Sequence, residues 1–182
     1  MSVTEECASL VLNTKDAVQQ NRKTKCTWNN INLVTLLQGM YEKYDSFNIC
    51  LNTIMTDFIP TANNDTVYTD KTDQNAVIFV SGLPFISNTY STKTNTNTGR
   101  ACLGTFSFAT SPKLNTVTQY FYSSNIATFA KSCDLVSITI DLRRFDDGVL
   151  QSTSDYQEQL YIFDIYGVVP KTKLIDHRIK NL

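Results

Sequence analysis

The sequence predicts an all-β sandwich with one inserted helix. Residues 27–51 contain a strand pattern, an amphipathic helix pattern and a second strand pattern, whereas the rest of the chain alternates short apolar stretches with polar turns. The composition agrees, because the 182 residues include 24 Thr, 16 Asn and 14 Ser. Threonine suits exposed strand faces, and asparagine and serine suit turns. Charged residues make up 18% of the chain, below the roughly 25% typical of globular domains, so few charges are expected on the surface.

The helix is predicted over residues 33–44, with Asn32 as its N-cap and its end near Asp45. Gly39 lies inside the pattern and costs the helix about 1 kcal/mol relative to alanine. One apolar stripe with helical spacing is predicted to pack on the sandwich: Leu33, Leu36, Leu37, Met40, Tyr41 and Tyr44.

Strand patterns account for most of the remaining chain. The residues with this pattern are 26–31, 47–55, 76–80, 101–109, 116–122, 134–142 and 157–168, and residues 7–13 fit either a strand or a short helix. Within residues 47–55, one face of the strand is predicted to carry Phe47, Ile49, Leu51 and Met55. Residues 76–80 are apolar on both faces and predict a fully buried central strand. Eight candidate strands predict a jelly roll, because two Greek keys arrange eight strands without long exposed edges.

The chain is interpreted as one domain, residues 1–170, followed by a basic tail, residues 171–182. Pro170 is expected to end the last strand. The tail combines cations with apolar residues at roughly helical spacing, and it is expected either to pack on the domain or to reach a neighbouring molecule. The interface candidates are Lys171, Lys173, Leu174, Arg178, Ile179 and Lys180.

Catalytic and metal-binding patterns are weak, so the protein is predicted not to be an enzyme and to need no cofactor. The single histidine, His177, lies in the tail. Asp146 and Asp147 fit a hairpin turn before Gly148 better than a cation site. The five cysteines contain no C-x-x-C pair, which indicates free, mostly buried thiols in a reducing compartment.

Charge and hydropathy exclude other classes. The net charge is −1 and the pI about 5.8, whereas a dedicated nucleic-acid binder usually shows a basic excess. The apolar run over residues 76–80 is far too short to span a bilayer, and acidic residues stand where a signal peptide needs basic ones. Specific nucleic-acid binding and membrane insertion are therefore not expected.

Three segments resemble the single jelly-roll minor capsid and penton-type proteins of large double-stranded DNA viruses. They are NINLVTLLQGMYEKYDSFNICL (30–51), AVIFVSGLPF (76–85) and ITIDLRRFDDG (138–148). The resemblance implies a structural role in an icosahedral shell, with subunit interfaces in place of an active site. It also implies a virion protein that is synthesised in the host cytoplasm.

The expected function is accordingly a capsid component, a penton or other minor capsid protein. Its expected partners are copies of itself, as a pentamer or trimer, and other capsid proteins. The alternative is a carbohydrate- or receptor-binding sandwich, lectin-like or tumour-necrosis-factor-like, which would present exposed Tyr and Asn side chains. A sandwich hydrolase, with two carboxylates converging in a cleft, is the remaining possibility.

Overall fold

The computed structural model describes twelve ranges of the chain, to which all structural statements below refer. They are residues 6–20, 24–56, 60–61, 75–83, 90–91, 96–97, 100–107, 118–120, 126–132, 137–143, 151–152 and 158–168.

β-Strands dominate these ranges, and two short helices and one 3-10 turn complete them. The strands are β1 Cys7–Asn13, β2 Val18–Gln20, β3 Lys25–Asn29, β4 Ser46–Thr56, β5 Pro60–Thr61, β6 Asn75–Ser81, β7 Tyr90–Ser91, β8 Thr96–Asn97, β9 Ala101–Ser107, β10 Thr118–Tyr120, β11 Ile126–Ala130, β12 Ser137–Arg143, β13 Gln151–Ser152 and β14 Gln159–Gly167. The helices are α1 Leu33–Leu37 and α2 Gly39–Lys43, and the 3-10 turn is Thr14–Asp16. Residues 7–13, which the sequence left undecided, form a strand.

Most strands form two five-stranded antiparallel sheets. The first sheet has the order β1-β14-β4-β10, and β11 also pairs with β4. The second sheet has the order β2-β3-β12-β6-β9. Two short ribbons, β13-β5 and β7-β8, lie outside them. The prediction of a mostly β protein with two antiparallel sheets and little helix is confirmed.

A single hydrophobic cluster joins residues of both sheets and both helices. Phe47 and Phe129 pack within the first sheet, with ring centroids 5.6 Å apart. Ile138, Ile140 and Leu142 of the second sheet are at most 1% exposed. Alternation along the strands directs one face of each sheet into this core and leaves the other face outward.

The predicted helix forms in its expected place but not as one element, which corrects the sequence analysis. Asn32 caps α1 as predicted, accepting a hydrogen bond from the backbone N–H of Thr35 at 3.0 Å. Gln38 then has φ 42° and ψ −121°, which interrupts the helix before Gly39. Glycine has a poor helix propensity, so Gly39 does little to stabilise a continuous helix across this point. Leu33, Leu37 and Met40 are buried, as the stripe predicted.

A β-bulge in β4 corrects the predicted face of Met55. Thr53 pairs with Ile162 and Leu51 pairs with Phe163, so Asn52 is an extra residue in the ladder. One extra residue reverses the inward and outward alternation beyond it. Ile54 is therefore buried, at 2% exposed, and Met55 is only half-buried.

Two strand predictions also need correction. β6 is central in its sheet, but Val77 and Phe79 on its outward face are only half-buried, so the strand is not buried on both sides. The second correction is β11, which the sequence analysis did not predict. Its alternation consists of alanine, threonine, one phenylalanine and one isoleucine, and alanine favours strands poorly.

Candidate functional site

The outward face of the first sheet is a broad surface with little charge, on which polar and apolar side chains are mixed. We call it the outer face. Its residues are Cys7, Ser9 and Val11 of β1, Leu160, Ile162, Asp164 and Tyr166 of β14, Asn48, Cys50 and Asn52 of β4, and Ile126, Thr128 and Ala130 of β11. Asp164 is the one carboxylate in this set, and the set contains no lysine or arginine. Ile126 and Val11 are 64% and 52% exposed.

Asp164 is the centre of a hydrogen-bonded cluster on the outer face. Its Oδ2 accepts hydrogen bonds from the side-chain amide of Asn52 and from the hydroxyl of Tyr166, the latter at 3.3 Å. Its Oδ1 accepts from the hydroxyl of Ser9 at 3.4 Å. Asn52 is the bulged residue of β4, and the bulge directs its side chain toward Asp164. The three donors come from three adjacent strands, so the carboxylate ties these strands together.

Burial and the nearby carboxylate both raise the pKa values of two neighbouring groups, Tyr166 and Cys50. Partial burial and then the charge of Asp164 raise the pKa of Tyr166 to about 12. Burial and then Asp164 also raise the pKa of the Cys50 thiol. Both groups are therefore neutral near pH 7. A thiol in this state is a poor nucleophile, which argues against Cys50 as a catalytic residue.

The outward face of the second sheet carries a different, cationic cluster around Asp141. Asp141 is 6% exposed although it points away from the core. Its Oδ2 accepts a hydrogen bond from Nε of Arg143 at 2.8 Å and lies 3.9 Å from a guanidinium nitrogen of Arg100. The Arg100 guanidinium also stacks over Phe79, 4.4 Å from the ring centroid. These cations cover the carboxylate, which explains why Asp141 is buried on the outward face of the sheet.

The break between the two helices forms one side of a groove, which we call the helix groove. Its volume is about 480 Å³. Residues 6–8 at the start of β1 form the opposite side. The lining residues are Glu6, Cys7, Ala8, Leu36, Leu37, Gln38, Gly39, Met40 and Lys43. Lys43 and Glu6 form an ion pair of 2.5 Å at its rim, and this hydrogen bond raises the pKa of Lys43.

The cysteines within the described ranges form no disulfide bonds, as the sequence predicted. Cys26 is buried, Cys50 and Cys102 are half-buried, and Cys7 is exposed, so the expectation of mostly buried thiols is only partly correct. The same ranges contain no cluster of three or more His, Cys, Asp or Glu side chains with the geometry to hold a metal ion.

The six interface candidates predicted for the tail lie outside the described residues: Lys171, Lys173, Leu174, Arg178, Ile179 and Lys180. So do the predicted turn at Asp146 and Asp147, the single histidine His177 and the fifth cysteine, Cys133. In contrast, the sequence analysis missed the Asp164 cluster and the helix groove. Two of the three partners of Asp164, Asn52 and Ser9, are 112 and 155 residues away from it in the chain, so no local motif marks the cluster.

No protein-family model matches the chain, and no curated protein matches it. Neither of the two helices in the described ranges is long or apolar enough to cross a membrane.

Proposed function

We propose that the protein is a single jelly-roll component of a viral capsid, a penton or other minor capsid protein, that acts through contacts between subunits. In this proposal it has no catalytic role and belongs to the virion after synthesis in the host cytoplasm. Its partners are copies of itself and other capsid proteins.

The strand pairing is the observation that carries the proposal. A jelly roll is a long antiparallel hairpin of eight strands, wrapped so that strand 1 pairs with 8, 2 with 7, 3 with 6 and 4 with 5. Eight strands in the described ranges have five residues or more: β1, β3, β4, β6, β9, β11, β12 and β14. In chain order, the four expected pairs correspond to β1–β14, β3–β12, β4–β11 and β6–β9, and all four pairings are present.

The outer face supports a role in subunit contacts. Its thirteen residues include one carboxylate, and that carboxylate already accepts three hydrogen bonds. The centres of protein interfaces are depleted in charged side chains, since burying an uncompensated charge is costly. A fold alone does not determine a function. The low charge of the outer face is therefore the second observation that supports a role in assembly, beside the strand pairing.

Sedimentation velocity over a wide concentration range tests the proposal. A stable trimer or pentamer is expected. A chain that stays monomeric at all concentrations and also fails to enter particles when its capsid partners are co-expressed would contradict it.

A charge on the outer face sharpens this test. Ile126→Lys places an ammonium group on β11, which pairs only with β4 among the described strands, and adds a cation to a set of outer-face residues that has none. It is expected to abolish the oligomer while leaving the melting temperature nearly unchanged. Val18→Lys is the matched control, because Val18 is 57% exposed but lies on the second sheet. If both variants assemble normally, the outer face is not the subunit interface.

The Asp164 cluster favours one alternative, a carbohydrate-binding sandwich. Carboxylate, amide and phenol groups on an open surface are the chemistry that binds sugar hydroxyls, and Asp164, Asn52 and Tyr166 supply all three. A monomer that is retained on a glycan array, and that loses this retention on Asp164→Ala but not on Asp16→Ala, would support this alternative over the capsid role.

A further inference from the structure

We propose that the helix groove is the docking site for the C-terminal tail, residues 171–182, of a second copy of this chain. This inference rests on the proposed subunit function and names the contact by which one subunit holds the next.

The chemistry of the groove fits the tail. Ala8, Leu36, Leu37 and Met40 give the groove an apolar lining, and Glu6 lies at its rim. Glu42 is exposed on α2, next in sequence to the rim residue Lys43. The tail carries the complementary set: apolar Leu174, Ile175, Ile179 and Leu182, and basic Lys171, Lys173, Arg178 and Lys180.

The helix break keeps the groove open. A Cβ atom added at Gly39 would have no other atom within 4 Å. Leu36 is half-buried and Gln38 is exposed, so an incoming apolar side chain can cover surface that water now contacts. The volume of about 480 Å³ is in the range of sites that bind several side chains or a small ligand.

The point at which the last strand ends places the tail near this part of the fold. The backbone N–H of Gly167 donates to the carbonyl of Glu6 at 3.4 Å, and that of Val168 donates to the carbonyl of Ser46 at 2.9 Å. The 14 residues from 169 to 182 therefore start beside the residues that form one side of the groove.

The direction of the chain favours the groove of a neighbour over its own. Ile165 pairs with Ala8, Tyr166 pairs with Cys7 and Gly167 bonds to Glu6, so β14 runs along the groove residues in this order and leaves the last of them at Val168. A residue before proline disfavours the helical conformation, so the sequence does not favour an immediate reversal of the chain after Val168. Leu174 is the first apolar residue of the tail proper, and a stretch of six residues can reach at most roughly 20 Å from Val168. Insertion of such an arm into the next copy, repeated around a ring, gives a closed assembly.

Cys7 lines the groove and is an exposed, free thiol. Its reactivity therefore reports whether the groove is occupied. The experiment measures the rate of Cys7 alkylation by iodoacetamide, resolved by peptide mass spectrometry, at several concentrations of the full chain. We expect the rate to fall as concentration rises, by about tenfold once the concentration of undocked tails is roughly ten times the dissociation constant. In a variant that lacks residues 171–182 the rate should be high and independent of concentration.

Three further variants and a peptide distinguish tail docking from loss of folding. Leu174→Ser/Ile175→Ser/Ile179→Ser keeps the tail but removes its apolar contacts, and it should behave like the truncation. Gly39→Trp fills the groove and should remove the concentration dependence, whereas Val34→Trp, on the same helix pair but outside the groove lining, should retain it. A synthetic peptide of residues 169–182 should slow Cys7 alkylation in the truncated protein, and a scrambled peptide should not.

Sedimentation of the same samples distinguishes failure of this inference from failure of the proposed function. An oligomer in which Cys7 reacts as fast as in the truncated chain overturns the groove assignment alone. If Cys7 is protected to the same extent at every concentration, the tail docks on its own chain. This result would also overturn the proposal that the tail docks on a second copy. A monomer at all concentrations, with unprotected Cys7, overturns both proposals.

Discussion

Trp28 and Tyr161 meet across the two sheets, with ring centroids 5.9 Å apart and ring planes at 76°. Trp28 belongs to β3 of the second sheet and Tyr161 to β14 of the first. The indole N–H of Trp28 donates to the carbonyl of Asn13 at 2.7 Å, and the hydroxyl of Tyr161 donates to the side chain of Gln159. Each polar group in this contact is thus satisfied, and the pair fixes how the two sheets pack.

Trp28→Phe is predicted to destabilise the fold by about 1–3 kcal/mol, because it leaves the Asn13 carbonyl without its indole donor and shortens the edge-to-face contact. Urea unfolding followed by circular dichroism measures the change. The exposed Val18→Ala serves as the control and should shift the free energy of unfolding by less than about 0.5 kcal/mol. Equal stabilities of the two variants would show that the Trp28 contact is dispensable.

Leu37→Asp is predicted to prevent folding, because it places an unpaired carboxylate at a position that is 2% exposed. Val34→Asp is the matched control in the same helix, where the side chain is 55% exposed. Soluble expression and the thermal melt of both variants test the pair. A normally melting Leu37→Asp protein would mean that the helices do not pack on the sheets.

Gly82→Ala and Gly39→Ala are predicted to have opposite effects on stability. Gly82 has φ +83°, and an added Cβ would overlap the carbonyl oxygen of Ser137, so a loss of about 2 kcal/mol or more is expected. Gly39 is in a helix with open space around it, so alanine should gain about 0.5–1 kcal/mol. Denaturant titration measures both changes, and a stabilised Gly82→Ala variant would be inconsistent with this backbone geometry.

Stability is predicted to fall at alkaline pH because of two tyrosines. Burial raises the pKa of Tyr161 well above its usual value near 10, and the pKa of Tyr166 is raised to about 12. Between the unfolded and folded pKa values the unfolded chain binds fewer protons, so the free energy of unfolding is maintained below about pH 10 and decreases above it.

The variants Tyr161→Phe and Tyr166→Phe isolate the two contributions. Each should reduce the slope of unfolding free energy against pH above about pH 10, since each removes one titrating group. Tyr161→Phe should do so over the wider pH range because Tyr161 is the more buried. If neither variant changes the slope of unfolding free energy against pH, other groups cause the loss of stability at alkaline pH.

Local residue patterns were sufficient to predict the class of the fold and the position of its helices. Alternation along Ile138, Ile140 and Leu142 identifies a half-buried strand from local residues alone, because the side-chain period of a strand is two. Asn32 and the apolar stripe that begins at Leu33 identify the helical segment by the same kind of local signal. Ile138, Ile140, Leu142 and Leu33 are buried, as these patterns predict. Asn32 caps the helix, as its residue type predicts.

Strand pairing, the change of alternation in β4 and the contacts between polar groups became apparent from the three-dimensional fold. The bulge at Asn52 arises from the register between β4 and β14, which are more than 100 residues apart, and it moves Ile54 into the core in place of Met55. The position of Asp164 beside Ser9 and Asn52, and the groove between the helix break and Cys7, likewise join distant parts of the chain. Such contacts depend on the free energy of the whole packed fold, which local propensity and spacing do not encode.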